Sequence, residues 1–335
     1  VSLPRNVVLV GDVRKRLAEL PAGSVDCVMT SPPYFQLRNY GSPEQIGLEA
    51  NVEAWADELR LVMRDVARVL KPGGSLWLNV GDSYSRHTRY GTPPKSLLLG
   101  PERLVLALCR DGWIVRNRVA WVKRNTMPTS VGDRLACTWE TVYLLVRSRH
   151  YFFDLDAIRV PHRSTPRAPY RTAADGYPPK GVTPEGWGGP LAGSNTGLAN
   201  LKARGLVGHP LGKNPGDAWK TAVSNFRGQH FATFPTSLVT RPLLASCPER
   251  VCCTCGQPWQ RPPSRTTRGA LQPTCTCKRA WRAGLVLDPF FGSGTVGLVA
   301  ERHGRDWLGI ELNPAFAAIA RQRITAERRT PRITA

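Results

Sequence analysis

Acidic side chains are scarce in this chain of 335 residues: 25 Asp plus Glu stand against 46 Lys plus Arg, for a formal net charge of +21 at pH 7. A folded chain so basic points to a polyanionic partner, most simply nucleic acid. Long apolar runs are absent as well. No stretch approaches the roughly eighteen apolar residues that a membrane-spanning helix needs. The first residues, VSLPRNVVLV, carry no charged, then apolar, then cleavable pattern, so no secretion signal is expected and the protein is assigned to the cytoplasm. The six His (His87, His150, His162, His209, His230 and His303) are scattered, none at metal or triad spacing. The 41% hydrophobic content excludes a disordered basic tail and allows a real core.

What is present alternates. Val7-Val8-Leu9-Val10 reads as a strand and 13–20 as a helix. Val25 to Thr30 reads as a second strand, closed by Ser31-Pro32-Pro33-Tyr34. Residues 51–70 place Trp55, Leu59, Val62, Met63, Val66, Val69 and Leu70 on one helical stripe, which Lys71-Pro72-Gly73-Gly74 is expected to stop. A strand at 75–80, a helix at 101–111 and strands near 113–122 and 140–147 follow. The alternation predicts an α/β, doubly wound, mostly parallel sheet. Residues 161–230 interrupt it, with 12 Gly and 9 Pro in that stretch out of 31 Gly and 29 Pro in the chain. Either an irregular insertion or a loop-rich lobe touching a large substrate fits. The pattern returns after 283 with strands at 284–288 and 306–311 and helices at 295–303 and 314–329, so the core is split around the insertion.

Three constellations carry chemistry. The first is Asp288-Pro289-Phe290-Phe291-Gly292-Ser293-Gly294-Thr295, a strand, glycine turn and helix. Its glycines let backbone approach a ligand, and the helix start offers free N–H groups. Glu311 ends the next strand, where an acid holds ribose hydroxyls in dinucleotide folds. With Gly297 the segment also fits GxGxxG, so a nicotinamide enzyme stays open on these residues alone. The second is Thr30-Ser31-Pro32-Pro33-Tyr34. Two prolines after a buried strand make a stiff turn that frees the Pro32 carbonyl. Together with the Ser31 hydroxyl it offers two acceptors to an exocyclic amine, beside the flat face of Tyr34; a plain proline turn is the alternative. The third is a cluster of six of the nine Cys, residues 247 to 277. Cys252-x-x-Cys255 has zinc-knuckle spacing and Cys275-x-Cys277 is one residue tighter, so zinc on Cys252, Cys255, Cys275 and Cys277 leads, with Cys247 or Cys253 as substitutes and free thiols as the alternative. Arg261, Arg265, Arg268, Lys278, Arg279 and Arg282 make this module a candidate for phosphate contact.

TSPPY followed far downstream by DPFFGSGT resembles the amino-methyltransferases of DNA, in the motif order of their circularly permuted β group. VLVGDVRKRLAELPAGSVDCVMTSPPY, VLKPGGSLWLNVGDSY and HFATFPTSLVTRPLLAS extend the resemblance over roughly 5–150 and 230–325. It implies a Rossmann-like, seven-stranded methyltransferase sheet with S-adenosylmethionine as cofactor. Ser31 and the Pro32 carbonyl would receive the target amine, with Pro33 completing the turn, and Tyr34 would stack on a flipped base. Asp288, Phe290, Gly292, Ser293, Gly294 and Thr295 would form the methionine side of the cofactor pocket. Glu311 would bind the ribose and Asp12 would sit near the adenine amine, unless it only caps a helix. Phe234, Pro235 and Leu238 would close over the cofactor, and Asn79 and Asp82 would brace the floor or hold a turn.

Ser at the head of the tetrapeptide is in this family typical of N4-cytosine enzymes; N6-adenine methylation and a non-catalytic DNA-binding relic are the alternatives. The absence of a Pro-Cys pair argues against C5 methylation, which needs a thiolate. The organisation expected is a catalytic half at 1–150, a target-recognition lobe at 151–230 and a cofactor half at 231–335, the last holding a Cys-rich module at 247–282. The partners expected are double-stranded DNA and a cognate restriction endonuclease, in a bacterial or phage-encoded protein working at the nucleoid.

Overall fold

The structure, a computed structural model, describes residues 3–126, 128–162, 209, 211–223, 234–262, 268–277 and 280–329. Among the described residues ten strands follow in chain order: β1 (Val7–Val10), β2 (Val25–Thr30), β3 (Leu70–Val80), β4 (Ile114–Lys123), β5 (Trp139–Val146), β6 (Ala218–Thr221), β7 (Val251–Cys252), β8 (Trp281–Arg282), β9 (Leu285–Asp288) and β10 (Asp306–Glu311). Eight of them form one sheet in the order β1-β10-β9-β2-β3-β5-β4-β6, and β7 with β8 makes a small hairpin. All pairs from β1 to β3 are parallel; β5 runs antiparallel to both β3 and β4. The seven expected strands are therefore joined by an eighth. β6 comes from the Gly- and Pro-rich segment and pairs in parallel with β4.

Each face of the sheet buries its own set of helices. Val13–Ala18, Val52–Val69 and Gly100–Arg110 pack one face, where Leu17, Trp55, Leu59, Met63 and Leu104 meet Val28, Leu76 and Leu78. Thr236–Ser246, Thr295–Arg302 and Pro314–Arg329 pack the other, where Leu238, Leu243, Val296, Val299, Ala320 and Ile324 meet Met29, Trp77 and Val286. Strands buried on both sides are near-continuously apolar, and β2 is buried at all six positions. Residues 163–208, 210 and 224–230 of the expected recognition lobe lie outside the described residues.

The helix Val52–Val69 starts where Asn51 accepts the Ala54 N–H at 2.8 Å. It ends at Val69, at the expected stop, but β3 begins directly at Leu70 rather than at the expected residue 75. The pairing jumps from Val25↔Leu70 to Cys27↔Ser75, so Lys71–Gly74 bulge out of the strand. A side chain on Gly74 would fall 2.6 Å from Leu70 Cδ1 and 2.8 Å from the Asp26 carbonyl, which fixes glycine there.

The chain leaves β9 toward β10 on one side and leaves β2 toward β3 on the other. The crevice between β9 and β2, at their carboxyl ends, is thus the switch point where open α/β sheets bind ligands. Among the described residues no helix is long and apolar enough to cross a membrane.

Candidate active site

Two turns leave adjacent strands at that crevice. β2 and β9 pair at Cys27↔Val286 and Val28↔Leu287, so Ser31 and Pro289 emerge side by side. The Thr30 hydroxyl donates to Asp288 Oδ1 at 2.7 Å and ties the two turns together. One cavity of about 740 Å³ opens over them. Ser31, Pro32, Pro33, Tyr34, Asp12, Asp288, Phe290, Gly292, Ser293, Thr295, Glu311 and Phe234 all line it. Residues of the first 34 positions and of the last third of the chain are thereby brought to one site.

The diproline turn is held from outside. Trp55 Nε1 donates to the Pro33 carbonyl at 2.9 Å, and Gly47, at φ +111°, lets a neighbouring loop approach Pro33 and Tyr34. Among the described residues the Pro32 carbonyl takes no hydrogen bond, so it keeps both lone pairs for a ligand. Ser31 Oγ lies 3.2 Å from the Tyr34 hydroxyl, which donates to Glu140 Oε2 at 2.7 Å. Burial, and then the charge of Glu140, push the Tyr34 phenol well above its ordinary value. Asn79 Nδ2 donates to Glu140 Oε2 at 3.3 Å and to the Thr141 carbonyl at 3.2 Å, and Lys123 Nζ donates to Glu140 Oε1 at 2.5 Å.

On the other side, Asp288 is buried and accepts from Thr30 and from the Phe290 N–H through the same oxygen, Oδ1. Its Oδ2 is the oxygen available to a ligand. Burial, helped by the nearby charge of Glu311 and opposed by the bonds from Thr30 and Phe290, raises its pKa from 3.8 to about 7. Glu311 accepts the Gly292 N–H at 2.7 Å and the Asn313 N–H at 2.9 Å, and burial raises its pKa as well. Gly292 and Gly294 take φ +50° and +77°, the left-handed turn that starts the helix Thr295–Arg302. In a chain of +21, this cavity gathers Asp12, Glu140, Asp288 and Glu311.

Some expectations move. Gly294 does not line the cavity: it shapes the turn and packs on Ala320 and Phe291. Pro235 sits just outside as the cap of Thr236–Ser246, and Leu238 is core. Ser293 spends its hydroxyl and carbonyl on Arg323, both at 2.6 Å. Asp12 lines the cavity but caps Val13–Ala18 and gives both oxygens to Arg14, which holds its carboxyl below the usual range. Asp82 braces no floor; it accepts from the Ser83, Leu99 and Gly100 N–H groups and so fixes the start of Gly100–Arg110. The sequence reading missed Glu140, Lys123 and Trp121, all on the cavity wall. The available signal was a lone acid heading the apolar run of β5.

The sulfur atoms of Cys252, Cys255, Cys275 and Cys277 lie within 4.8 Å of one another, while Cys247 is buried in the core and Cys253 stays outside the group. Backbone hydrogen bonds from Cys255 and Thr254 pull the Cys252 thiol down to about 6. The module is fastened to the opposite end of the sheet. Lys71 Nζ bridges the Gly256 carbonyl and Asp26, and Asp26 also takes Arg282 and the Leu285 N–H. At about 3.3 Å per residue, roughly 17 Å of β2 separates Asp26 from Ser31. Arg261 and Arg268 pair with Asp154 and Glu249. The expected phosphate contact by this module is therefore unsupported by its position; Arg265, Lys278 and Arg279 lie outside the described residues.

The chain matches the DNA methylase family model over residues 25–322. It is 33% identical to the Type II methyltransferase M.XycI of Xanthomonas campestris pv. cyanopsidis, covering 95% of this chain and 87% of the relative. It is 32% identical to the Type II methyltransferase M.SmaI of Serratia marcescens, covering 96% and 91%. Its fold is similar to that of the PvuII DNA methyltransferase (cytosine-N4-specific), with a TM-score of 0.57 and 18% identity over 98% of this chain and 87% of that one.

Proposed function

The chain belongs to the DNA methylase family of N6/N4 amino-methyltransferases, and from that premise we propose that it moves the methyl group of S-adenosylmethionine to the N4 amine of a cytosine swung out of duplex DNA. The observation that carries this reading is the Thr30–Asp288 bond, which sets an amine-accepting turn beside a cation-accepting one in a single cavity. The carboxylates there suit a cofactor with a sulfonium and an ammonium group. When bound, that cofactor supplies a methyl group already activated by positive sulfur.

The residues then have distinct tasks. Asp288 would hold the ammonium and Glu311 the ribose hydroxyls. Phe290 and Phe234 would cover the apolar parts, and the backbone of Gly292, Ser293 and Thr295 would border the methionine end. Asp12 reaches the adenine amine only if Arg14 releases one oxygen. Ser31 Oγ and the Pro32 carbonyl accept the hydrogens of the target amine. That favours a pyramidal nitrogen and stabilises the positive charge it gains. Alignment of nitrogen, carbon and sulfur supplies much of the remaining barrier reduction. The Tyr34 ring stacks on the base. Ser31 at the head of the tetrapeptide and the cytosine-N4-specific structural neighbour both support cytosine over adenine. Residues 151–230 are assigned to target recognition, with a cognate endonuclease as partner where bacterial DNA is. Nucleoside analysis of duplex DNA treated with the protein and cofactor tests the reading. N4-methylcytosine is expected; N6-methyladenine would move the target to adenine, and an unmodified digest would leave a binding protein.

Glu311→Ala is expected to weaken cofactor binding about tenfold or more by calorimetry, the loss of charge-assisted bonds to two hydroxyls. An unchanged Kd would take Glu311 out of the ribose role. The four-cysteine group suits zinc: Zn–S bonds of about 2.3 Å set tetrahedral sulfurs about 3.8 Å apart, within the spread observed. Cys252, Cys255, Cys275 and Cys277 would hold it, as a structural tie below the sheet. Elemental analysis is expected to give about one zinc per chain. Replacing Cys252 and Cys255 with Ser should remove the metal and lower the Tm; a metal-free protein that stays folded and active contradicts this.

A further inference from the structure

The transferred methyl leaves the target nitrogen with one proton too many, and no residue assigned so far receives it. The hydrogen bonds around Tyr34 supply a directed path. Among the described residues Glu140 accepts from three donors, Lys123 at Oε1 and Tyr34 and Asn79 at Oε2, and donates to none. Among the described residues the Tyr34 hydroxyl has two acceptors, Glu140 Oε2 at 2.7 Å and Asn79 Oδ1 at 3.4 Å; the shorter bond, to a carboxylate, takes its hydrogen and leaves it to accept from Ser31, 3.2 Å away. Ser31 in turn points its hydrogen at Tyr34 and keeps lone pairs for the amine. Every donor in the row faces away from the target nitrogen and toward the carboxylate.

We infer that Ser31, Tyr34 and Glu140 form a proton relay that drains the methylated amine into the Glu140 carboxylate; the inference rests on the methyl-transfer reading above. As the nitrogen lone pair bonds to the methyl carbon, the carbon–sulfur pair leaves with sulfur. In the same step the nitrogen passes a proton to Ser31 Oγ, Ser31 passes its own to Tyr34, and Tyr34 passes its own to Glu140 Oε2. A sulfonium, an amine and a carboxylate become a thioether, a methylamine and a carboxylic acid, with charge and atoms conserved. A phenol pushed to high pKa does not rest as phenolate, so the last two transfers are concerted. A protonated methylamino group on an electron-poor ring is a strong acid, so a carboxylate is base enough. Lys123, on β4, holds the far oxygen in place, and Asn79, on β3, steadies the near one. The Tyr34 ring keeps its face for the base while its edge conducts. Gly81 leaves the ring that space, since a side chain there would fall 2.7 Å from Tyr34 Cε2.

The test uses Glu140→Gln, Tyr34→Phe and the double variant on the full chain with duplex DNA. The amide of the first variant still accepts from Tyr34 but takes up no proton. The bare ring of the second still stacks on the base but breaks the row. Each single variant should lower the single-turnover rate of methyl transfer about 10²-fold, the worth of a positioned base. KM for DNA and the cofactor Kd should stay within about threefold. The double variant should be no slower than either single one, because a broken relay cannot be broken twice. Multiplying losses, a wild-type rate in either single variant, or a loss confined to KM overturns the relay. If Glu140→Gln melts early, Tyr34→Phe, which leaves the Glu140–Lys123 pair intact, decides alone. Wild-type protein that transfers no methyl to DNA would instead sink the methyltransferase reading, a different result from an active enzyme indifferent to these changes.

Discussion

Asp288→Asn is expected to make the protein more stable and nearly unable to bind its cofactor. Asp288 is buried, and its pKa rises from 3.8 to about 7 in the folded cavity. About three pKa units correspond to at most about 4 kcal/mol of destabilisation from holding the ionised carboxylate there. The sign follows from linkage. A carboxyl raised on folding costs the native state its full amount above the folded pKa near 7. The cost shrinks as pH falls toward the unfolded value and vanishes below it. Asn keeps an oxygen for the Thr30 hydroxyl and the Phe290 N–H but carries no charge. The variant should therefore melt higher than the parent at pH 8, and the two should converge toward pH 4. Cofactor affinity should fall about 10²-fold at pH 8, since an ammonium loses its buried partner. In the parent protein, affinity should also fall with acid, by up to about tenfold per pH unit below 7. Thermal melts and calorimetry across pH 5 to 8 check both halves. Cofactor affinity unchanged by the substitution would remove Asp288 from the ammonium site.

The second large effect is expected at Ser31. On the proposed mechanism Ser31→Ala removes one of two acceptors for the target amine and the first member of the relay. The loss of one preorganised partner for transition-state charge typically costs 10²–10³ in rate, and single-turnover transfer should fall by at least about that much. Dissociation constants for DNA and cofactor should stay within about threefold, because Ser31 holds neither the phosphates nor the methionine group. Alanine fits the turn, which Trp55 fixes through the Pro33 carbonyl rather than through Ser31. Equal losses in rate and in DNA binding would make Ser31 a binding residue.

Much of the cavity lining is legible in the sequence. The doubly wound fold shows in helical stripes such as Trp55, Leu59, Val62 and Met63, and in apolar strands ending at Ser31-Pro32 and Asp288-Pro289. Proline punctuates strand ends because it lacks the N–H that a ladder needs, and here those ends line one cavity. Features set by distant pairing were hidden. β6 is four residues inside a Gly- and Pro-rich stretch, and only its partner β4 makes it a strand. β3 begins at Leu70 because β2 pairs across a four-residue bulge that reads, locally, as a helix stop. Glu140 is a single acid that gains meaning from Tyr34, 106 positions earlier. The Cys-rich module follows Phe234, which lines the cavity, closely in sequence, yet Asp26 and Lys71 hold it at the far end of the strands. Charge composition could not place it, since its arginines Arg261 and Arg268 are spent on Asp154 and Glu249.

The most direct measurement is a crystal structure of the protein with duplex DNA and S-adenosylhomocysteine, the demethylated product. An extruded cytosine should lie on Tyr34, its amine within about 3 Å of both Ser31 Oγ and the Pro32 carbonyl, as hydrogen bonds require. The nitrogen should face sulfur across a gap that one methyl group fills, with the ammonium on Asp288. A base held elsewhere, or a cofactor whose sulfur points away from Ser31, would contradict the shared cavity on which the mechanism stands.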